Sequence, residues 1–173
     1  GVFADAEAVD GVDAILITHL HPDHLDVANL RTSDAPIFTI AEVAAAIRDQ
    51  APDVIDRVQV VESGAQFDAA GLPVAVIGEW HNVIHRDIPR VHNAGYVVGL
   101  GETAVYHPGD ALTLPGVPVD VLLAPSSAPW LRSEMAIDFV RAVEAPVNLA
   151  IHDRVYTEAG HAILQQQMDL LLP

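Results

Sequence analysis

Four side chains of the kind that bind metals occur within six residues of this chain, directly after an apolar segment. They are His19, His21, Asp23 and His24, and the segment before them, residues 15–18, is a predicted strand. Residues two apart in extended backbone project from the same face, so His19 and His21 are expected to point the same way. Pro22 suits the first position of a helix and Asp23 suits its positive end, so we expect a helix to begin there. This turn brings the four side chains together.

The composition restricts the chemistry that such a site can perform. The chain has no Cys, so a metal must be held by imidazole and carboxylate groups, which are compatible with Zn, Fe, Mn, Co or Ni. All eight basic residues are Arg, which excludes Schiff-base lysine chemistry and a P-loop. The formal charge of −16 disfavours a nucleic-acid partner, because nucleic-acid binders present a basic face. We therefore expect a small-molecule substrate.

The length and patterning predict one domain over residues 1–173. The chain has 173 residues, 51% of them hydrophobic, which is enough for a core. Its apolar runs are far shorter than the roughly 18 residues of a membrane span, and no secretory leader is visible, so we expect no membrane partner and a cytoplasmic location. Gly1 is not an initiator Met and the first strand comes early, so we expect the domain to be incomplete at its N-terminus.

The sequence predicts a mixture of strands and helices along the chain. Short β-rich segments predict strands at 15–18, 37–40, 58–61, 74–77, 96–100, 103–106, 119–123 and 147–151. Helical patterns cover 41–50, 133–145 and 158–171, with Ser133 as the expected N-cap of the second. This order predicts an α/β fold in which helices cover sheets.

The motif after the first strand resembles the signature of the metallo-β-lactamase superfamily, which is a strand, then His-x-His-x-Asp-His, then a short helix. Three later segments extend the resemblance over nearly the whole chain: His81 after a strand, Gly109-Asp110 after the next strand pair, and the late strand that ends in Ile151-His152. In detail the chain is similar to the branch of metal-dependent hydrolases related to ascorbate-phosphate lactonase. The resemblance implies a four-layer αββα sandwich with the site at one edge between the sheets.

The resemblance also implies a ligand set for two divalent metal ions, with zinc as the first expectation. His19, His21 and His81 would hold one ion, Asp23, His24 and His152 the other, and Asp110 would contact both. Two cations about 3.5 to 4 Å apart can share a hydroxide that acts as the nucleophile at neutral pH. Asp23 and Asp110 are the expected catalytic residues, with Asp23 also able to protonate the leaving group.

Other residues near these segments have less certain roles. His85 competes with His81 for the third position of the first metal site, and placement after the strand favours His81. His85 and Arg86 are otherwise candidates for substrate contact, and His107 for a hydrogen bond that orients a ligand. Ser126, Ser127 and Trp130 are candidates for a substrate pocket. An ordinary surface or packing role is the alternative for each of them.

The predicted function is a metal-dependent hydrolase that cleaves an ester-like bond, such as a lactone or phosphoester, in a small molecule. One alternative is a phosphodiesterase or nuclease of the same superfamily. The other is a truncated, metal-free domain that acts as a binding module. The resemblance implies that the opening strands of the family fold are absent here, and an uncovered sheet edge would favour association into a homo-oligomer.

Overall fold

Two β-sheets form the centre of the fold in a computed structural model that describes residues 1–3 and 5–172. The first sheet has the order β1 (Ile15–Ile17), β2 (Ile37–Thr39) and β3 (Val58–Val60). The second sheet follows chain order through β4 (Gln66–Ala69), β5 (Leu72–Ile77), β6 (Gly95–Leu100), β7 (Thr103–His107), β8 (Val121–Pro125) and β9 (Val147–Ile151). The α-helices are α1 (Val27–Leu30), α2 (Ala41–Gln50), α3 (Ser133–Val143) and α4 (Glu158–Leu171). Short 3-10 helices span Ala6–Val9, Pro52–Arg57 and Asp153–Val155.

Strand direction brings several strand ends to one edge of the second sheet. The first sheet is entirely parallel. In the second sheet β4 to β7 pair antiparallel, whereas β7, β8 and β9 pair parallel. Strands β5, β7, β8 and β9 therefore run in the same direction, and their carboxyl ends meet at the same edge, where sheets of this kind carry their sites.

Alternating side chains of the central strands fill two different cores. In β2, Ile37 packs with Val43 and Ile47 of α2, on the outer face of the first sheet. The next residue, Phe38, points to the opposite face and packs with Val76 of β5, between the two sheets. This is the alternation that a strand buried on both faces requires.

A third core lies on the outer face of the second sheet. Tyr106 of β7 and Leu122 of β8 pack there against Phe139 and Val140 of α3. The layers therefore follow the order helix, sheet, sheet, helix, which confirms the expected αββα architecture.

Hydrogen bonds tie the two sheets together at the end of β1. The hydroxyl of Tyr96, in β6, donates to the carbonyl of Ile17 at 2.9 Å, and the amide of Ala94 donates to the carbonyl of Thr18 at 2.8 Å. Both Tyr96 and Thr18 are buried. Because His19 follows Thr18, these bonds fix the first residue of the histidine motif relative to the second sheet.

The helix expected at Pro22 is absent from that position, so this prediction is wrong. Residues after His21 form a turn in which the amides of His24 and Leu25 both donate to the carbonyl of His21. Helix α1 begins only at Val27, because the Asp26 carboxylate caps it by accepting from the amides of Ala28 and Asn29.

The predicted N-cap and C-terminal end of the second long helix also differ from the structure. Arg132 occupies the N-cap position of α3 without a side-chain hydrogen bond, and Ser133 is the first helical residue. The helix ends at Val143 rather than at residue 145, because Glu144 adopts a left-handed conformation with φ of 57°.

Strand β4 was not predicted, because Gln66–Ala69 contains a single large apolar residue, Phe67. It pairs with β5 across a tight turn at Ala70 and Gly71, both of which have positive φ. The other predicted strand ends lie within two residues of the observed ones, and the strand predicted at 147–151 matches β9.

Among the described residues, no helix combines the length and the apolar character that crossing a bilayer would need.

We expect Ile47→Ala to lower the free energy of unfolding by about 2–5 kcal/mol, because it leaves a cavity in a dense core. Ile47 is fully buried, whereas Ile163 on α4 is 58% exposed and provides the matched control. The measurement is denaturant unfolding followed by circular dichroism. Ile163→Ala should change the free energy by less than about 0.5 kcal/mol. Equal effects of the two substitutions would contradict the assigned core.

Candidate metal centre

Strand ends supply most of the polar side chains that meet between the two sheets. His19 comes two residues after β1, Asp110 follows β7 through the turn His107-Pro108-Gly109, and His152 directly follows β9. His81 comes soon after the end of β5. Because β5, β7 and β9 end at one edge, these side chains converge there although they are far apart in the chain.

The converging side chains form two groups of possible metal ligands. Within each group, one ligand atom per residue lies within 4.8 Å of all the others. The first group is His19, His21, His81 and Asp110, and the second is Asp23, His24 and His152. The structure thus brings together all seven residues that the sequence analysis named as ligands.

Asp110 joins the two groups. Its Oδ1 lies 3.2 Å from Nε2 of His24, and its Oδ2 lies 3.3 Å from Nε2 of His81 and 3.3 Å from Nε2 of His152. His81 belongs to the first group, and His24 and His152 belong to the second. One carboxylate is therefore in contact with both groups.

The donor atoms are better placed to bind a metal ion than to form hydrogen bonds with one another. His19, His81 and Asp110 are at most 3% exposed. Two atoms at the centre, Nε2 of His81 and Oδ1 of Asp110, are buried without a hydrogen-bond partner among the described residues. An unpartnered buried polar atom costs about 1–3 kcal/mol, and a cation that accepts these lone pairs would remove that cost. The residues present therefore suit a metal ion.

The environment keeps two of the histidines neutral, which is the form that binds metals. Burial, followed by the charge of His24, lowers the pKa of His19 to about 2. Burial and the neighbouring His81 also lower the pKa of His21. Their lone pairs are consequently available at physiological pH.

Asp110 and His152 have pKa values shifted in opposite directions. Burial alone would raise the pKa of Asp110, but the close contacts with His152, His24 and His81 outweigh it and lower the pKa far below the usual range. Contact with Asp110 raises the pKa of His152 to about 9 although burial opposes it. Asp110 is therefore anionic, and it attracts positive charge to the centre of the cluster.

Backbone carbonyls orient two of the histidine rings. Nδ1 of His81 is hydrogen-bonded to the carbonyl of Asn82, and Nδ1 of His152 to the carbonyl of Ser127. Since a carbonyl can only accept, each Nδ1 donates, and Nε2 is the nitrogen that faces the cluster. In the neutral ring, which is the form that binds a metal, Nε2 then carries the lone pair. The Ser127 hydroxyl also donates to the carbonyl of His152 at 2.6 Å. These contacts hold the rings in an orientation that suits metal binding.

A tight turn supported by Asn93 carries Asp110. The Asn93 side chain accepts from the amide of Asp110 at 3.0 Å and donates to the carbonyl of Pro108 at 2.9 Å. Between them, Gly109 has φ of +63°, and a Cβ on it would lie 2.3 Å from Oδ1 of Asn93. Sequence reasoning missed Asn93, because a lone Asn sixteen residues before Gly109 in a loop carries no motif.

The remaining candidate residues occupy different surroundings. His85 lies on the surface, 3.7 Å from Asp87, so His81 and not His85 belongs to the ligand group. Arg86 is also exposed, 3.8 Å from Asp87. Nδ1 of His107, a half-buried residue next to the site, accepts from the amide of Gly109 at 3.0 Å, and burial, followed by the charge of His24, lowers the pKa of His107 to about 4.

Ser126, Ser127 and Trp130 are buried, and none of them lines the cavity that contains Asp23, His24 and His152. Two of them hydrogen-bond to residues of the site. Nε1 of Trp130 donates to Oδ2 of Asp110 at 3.1 Å, and Ser126 donates to the carbonyl of Ile151 at 3.0 Å.

A cavity of about 610 Å³ opens beside the second ligand group. Asp23, His24 and His152 line it, together with His107 and the segment 151–155. A second cavity of similar volume, near Glu42 and Glu62, contains none of the seven ligand residues. The first cavity therefore gives a small molecule access to the cluster.

Comparisons with known proteins agree with this architecture. The β-lactamase superfamily domain matches residues 3–152 of the chain. Protein Rv0786c of Mycobacterium tuberculosis is 39% identical over 161 residues, which covers 91% of this chain and 74% of that protein. The UPF0173 metal-dependent hydrolase PH1671 of Pyrococcus horikoshii is 29% identical over 132 residues, which covers 70% of this chain and 57% of that protein. The chain thus spans little more than half of this archaeal relative.

A solved structure has the same fold at low sequence identity. The isothiocyanate hydrolase from Delia radicum gut bacteria superposes with a TM-score of 0.71 at 18% identity, covering 97% of this chain and 75% of that one. At 18% identity, this similarity shows a shared fold and nothing further.

We expect Trp130→Phe to weaken metal binding about tenfold, because it removes the N–H that orients Asp110 while keeping an aromatic ring in place. The measurement is competition with a chromophoric zinc chelator. Trp80→Phe is the matched control, since Trp80 is 41% exposed and lies outside both ligand groups. Unchanged affinity in Trp130→Phe would show that Asp110 does not depend on this bond.

Proposed function

The chain belongs to the β-lactamase superfamily of metal-dependent hydrolases, and we propose that it hydrolyses an ester-like bond, such as a lactone or phosphoester, in a small molecule. The observation that carries the proposal is Asp110, a buried carboxylate in contact with imidazoles of both ligand groups. A single carboxylate in contact with both sets of donors suits a site for two neighbouring cations.

We propose two divalent cations, and zinc as the first choice, because the ligands are imidazoles and carboxylates without thiolate. His19, His21 and His81 would hold one ion and Asp23, His24 and His152 the other, with Asp110 in contact with both. Bound there, the ions would supply Lewis acidity and a hydroxide nucleophile at neutral pH.

The chain's own residues then have separate tasks. The low pKa of His19 keeps its ring neutral, and the anionic Asp110 would offset part of the positive charge of bound ions. Asp23 has a partly exposed side chain and lines the cavity, so its carboxyl can reach a bound molecule. We propose that Oδ2 of Asp23, which lies 3.1 Å from Nε2 of His152, carries the proton that the leaving group takes up.

The cavity volume and the charge favour a small substrate. A space of about 610 Å³ accommodates a molecule of metabolite size. The formal charge of −16 would repel a polynucleotide, which argues against the nuclease alternative. The other alternative is a phosphodiesterase that acts on small diesters. Adding such diesters to the substrate panel distinguishes it from the proposed hydrolase.

We expect Asp110→Asn to reduce kcat/KM on an ester and lactone panel by at least about a hundredfold, since it removes a charge worth several kcal/mol at the centre of the cluster. Elemental analysis should find about two metal equivalents in the zinc-loaded parent protein and fewer in the variant. Asp56→Asn changes the same charge at an exposed position and is the control. Full turnover in Asp110→Asn would contradict the proposed role.

We expect Asp23→Asn to slow poor leaving groups more than good ones. An alkyl alkoxide needs a proton as it leaves, whereas p-nitrophenolate does not, so the loss should be at least about tenfold larger for an alkyl ester than for the p-nitrophenyl ester of the same acid. Loss of a metal ligand would lower both rates together. Equal losses for the two esters would therefore rule out the proton transfer and leave Asp23 as a ligand only.

A further inference from the structure

We propose that the substrate carries an acidic group, a carboxylate or phosphate, and that Arg154 binds this group beside the metal centre. The inference rests on the proposed hydrolase function and adds the class of substrate to it. Arg154 is a specificity residue here, because it would contact a part of the substrate away from the bond that breaks.

Arg154 lies where a bound molecule would meet it. It belongs to the 3-10 helix Asp153–Val155, which starts directly after the ligand residue His152. It lines the same cavity as Asp23, His24 and His152, and no other Arg of the described residues does so. A molecule that occupies the cavity is therefore within reach of both the candidate metal ligands and the Arg154 side chain.

Most other arginines already have partners. Arg31 pairs with Asp53, Arg57 donates to the carbonyls of Ala35 and Leu30, and Arg90 donates to the carbonyl of His81. Arg86, Arg132 and Arg141 each lie within 4.0 Å of a carboxylate. Within the described residues, Arg154 has neither a hydrogen bond nor an ion pair from its side chain, and the same is true only of Arg48, on α2.

This lack of a partner is notable in so acidic a chain. Asp and Glu number 24 against eight Arg, and Asp153 immediately precedes Arg154, yet no carboxylate of the described residues lies within 4.0 Å of the Arg154 guanidinium. Asp23, the other carboxylate of the cavity, faces His152 and the cluster. The five N–H donors of Arg154 are thus available for the oxygen atoms of an acidic ligand, which a guanidinium can bind in bidentate geometry.

Apolar side chains lie next to Arg154 in the same cavity. Val155 and Phe3 line it and are 54% and 63% exposed, and Ile151 contributes a half-buried wall. Exposed apolar surface around a cavity favours a hydrocarbon part of the ligand. The favoured substrate is therefore an ester of a short acid whose far end is charged. Water adds its hydroxyl to the acyl carbon, the ester C–O bond breaks, and the leaving oxygen takes the proton.

The test compares two esters with the same leaving group and the same acyl length. One is mono-p-nitrophenyl succinate, which ends in a carboxylate, and the other is p-nitrophenyl butyrate, which ends in a methyl group. We expect Arg154→Gln to lower kcat/KM for the succinate ester about tenfold and to leave the butyrate ester within twofold. Arg154→Lys should restore part of the loss, and Arg48→Gln, which removes the same charge outside the cavity, should change neither ester.

A binding measurement separates this inference from the proposed function. Isothermal titration of zinc-loaded protein with succinate should give about tenfold weaker affinity in Arg154→Gln than in the parent and no change in Arg48→Gln. If the parent cleaves neither ester, the proposed ester hydrolysis is contradicted, and succinate binding still decides the role of Arg154. Equal succinate affinity in parent and Arg154→Gln, or an equal loss on both esters, would overturn the inference.

Discussion

The structure depends on one buried negative charge, that of Asp110. A carboxylate that is 3% exposed is costly unless positive or polar groups surround it, and here imidazoles from three separate segments approach it. Those segments reach Asp110 only because β7 and β9 end at the same edge of one sheet and because the end of β1 is hydrogen-bonded to β6. The sheet topology is therefore what places the imidazoles around the buried charge of Asp110.

The ligand residues could be predicted because each follows a strand or lies in a short motif. His19, His21, Asp23 and His24 are close in the chain, and Asp110 and His152 come after apolar strands, so periodicity indicates where each side chain emerges. The choice of His81 over His85 needed the structure, since both lie in one loop. What decides it is the fully buried position of His81 and the hydrogen bond of its Nδ1 to the Asn82 carbonyl.

The supporting residues could not be predicted, because their roles arise from contacts between distant segments. Trp130 and Asn93 are ordinary residues in the sequence, but one donates to the Asp110 carboxylate and the other holds the Asp110 backbone. At Pro22 a local signal was misleading. Pro22 and Asp23 favour a helix start, but the helix begins at Val27, where the Asp26 side chain caps it. Strand β4 forms because it pairs with the edge of β5. The side chains of β4 alone do not indicate a strand.

The turn at Gly109 makes the centre sensitive to a residue that takes no part in chemistry. A side chain there would have to adopt a left-handed backbone and would also overlap the Asn93 amide and Thr18, the residue before the histidine motif. A protein that differs from this one at that position could keep every candidate ligand side chain and still present them in the wrong arrangement. Inspection of the donor residues alone is therefore insufficient to judge whether a homologous sequence is active; the glycine that precedes the aspartate has to be checked as well.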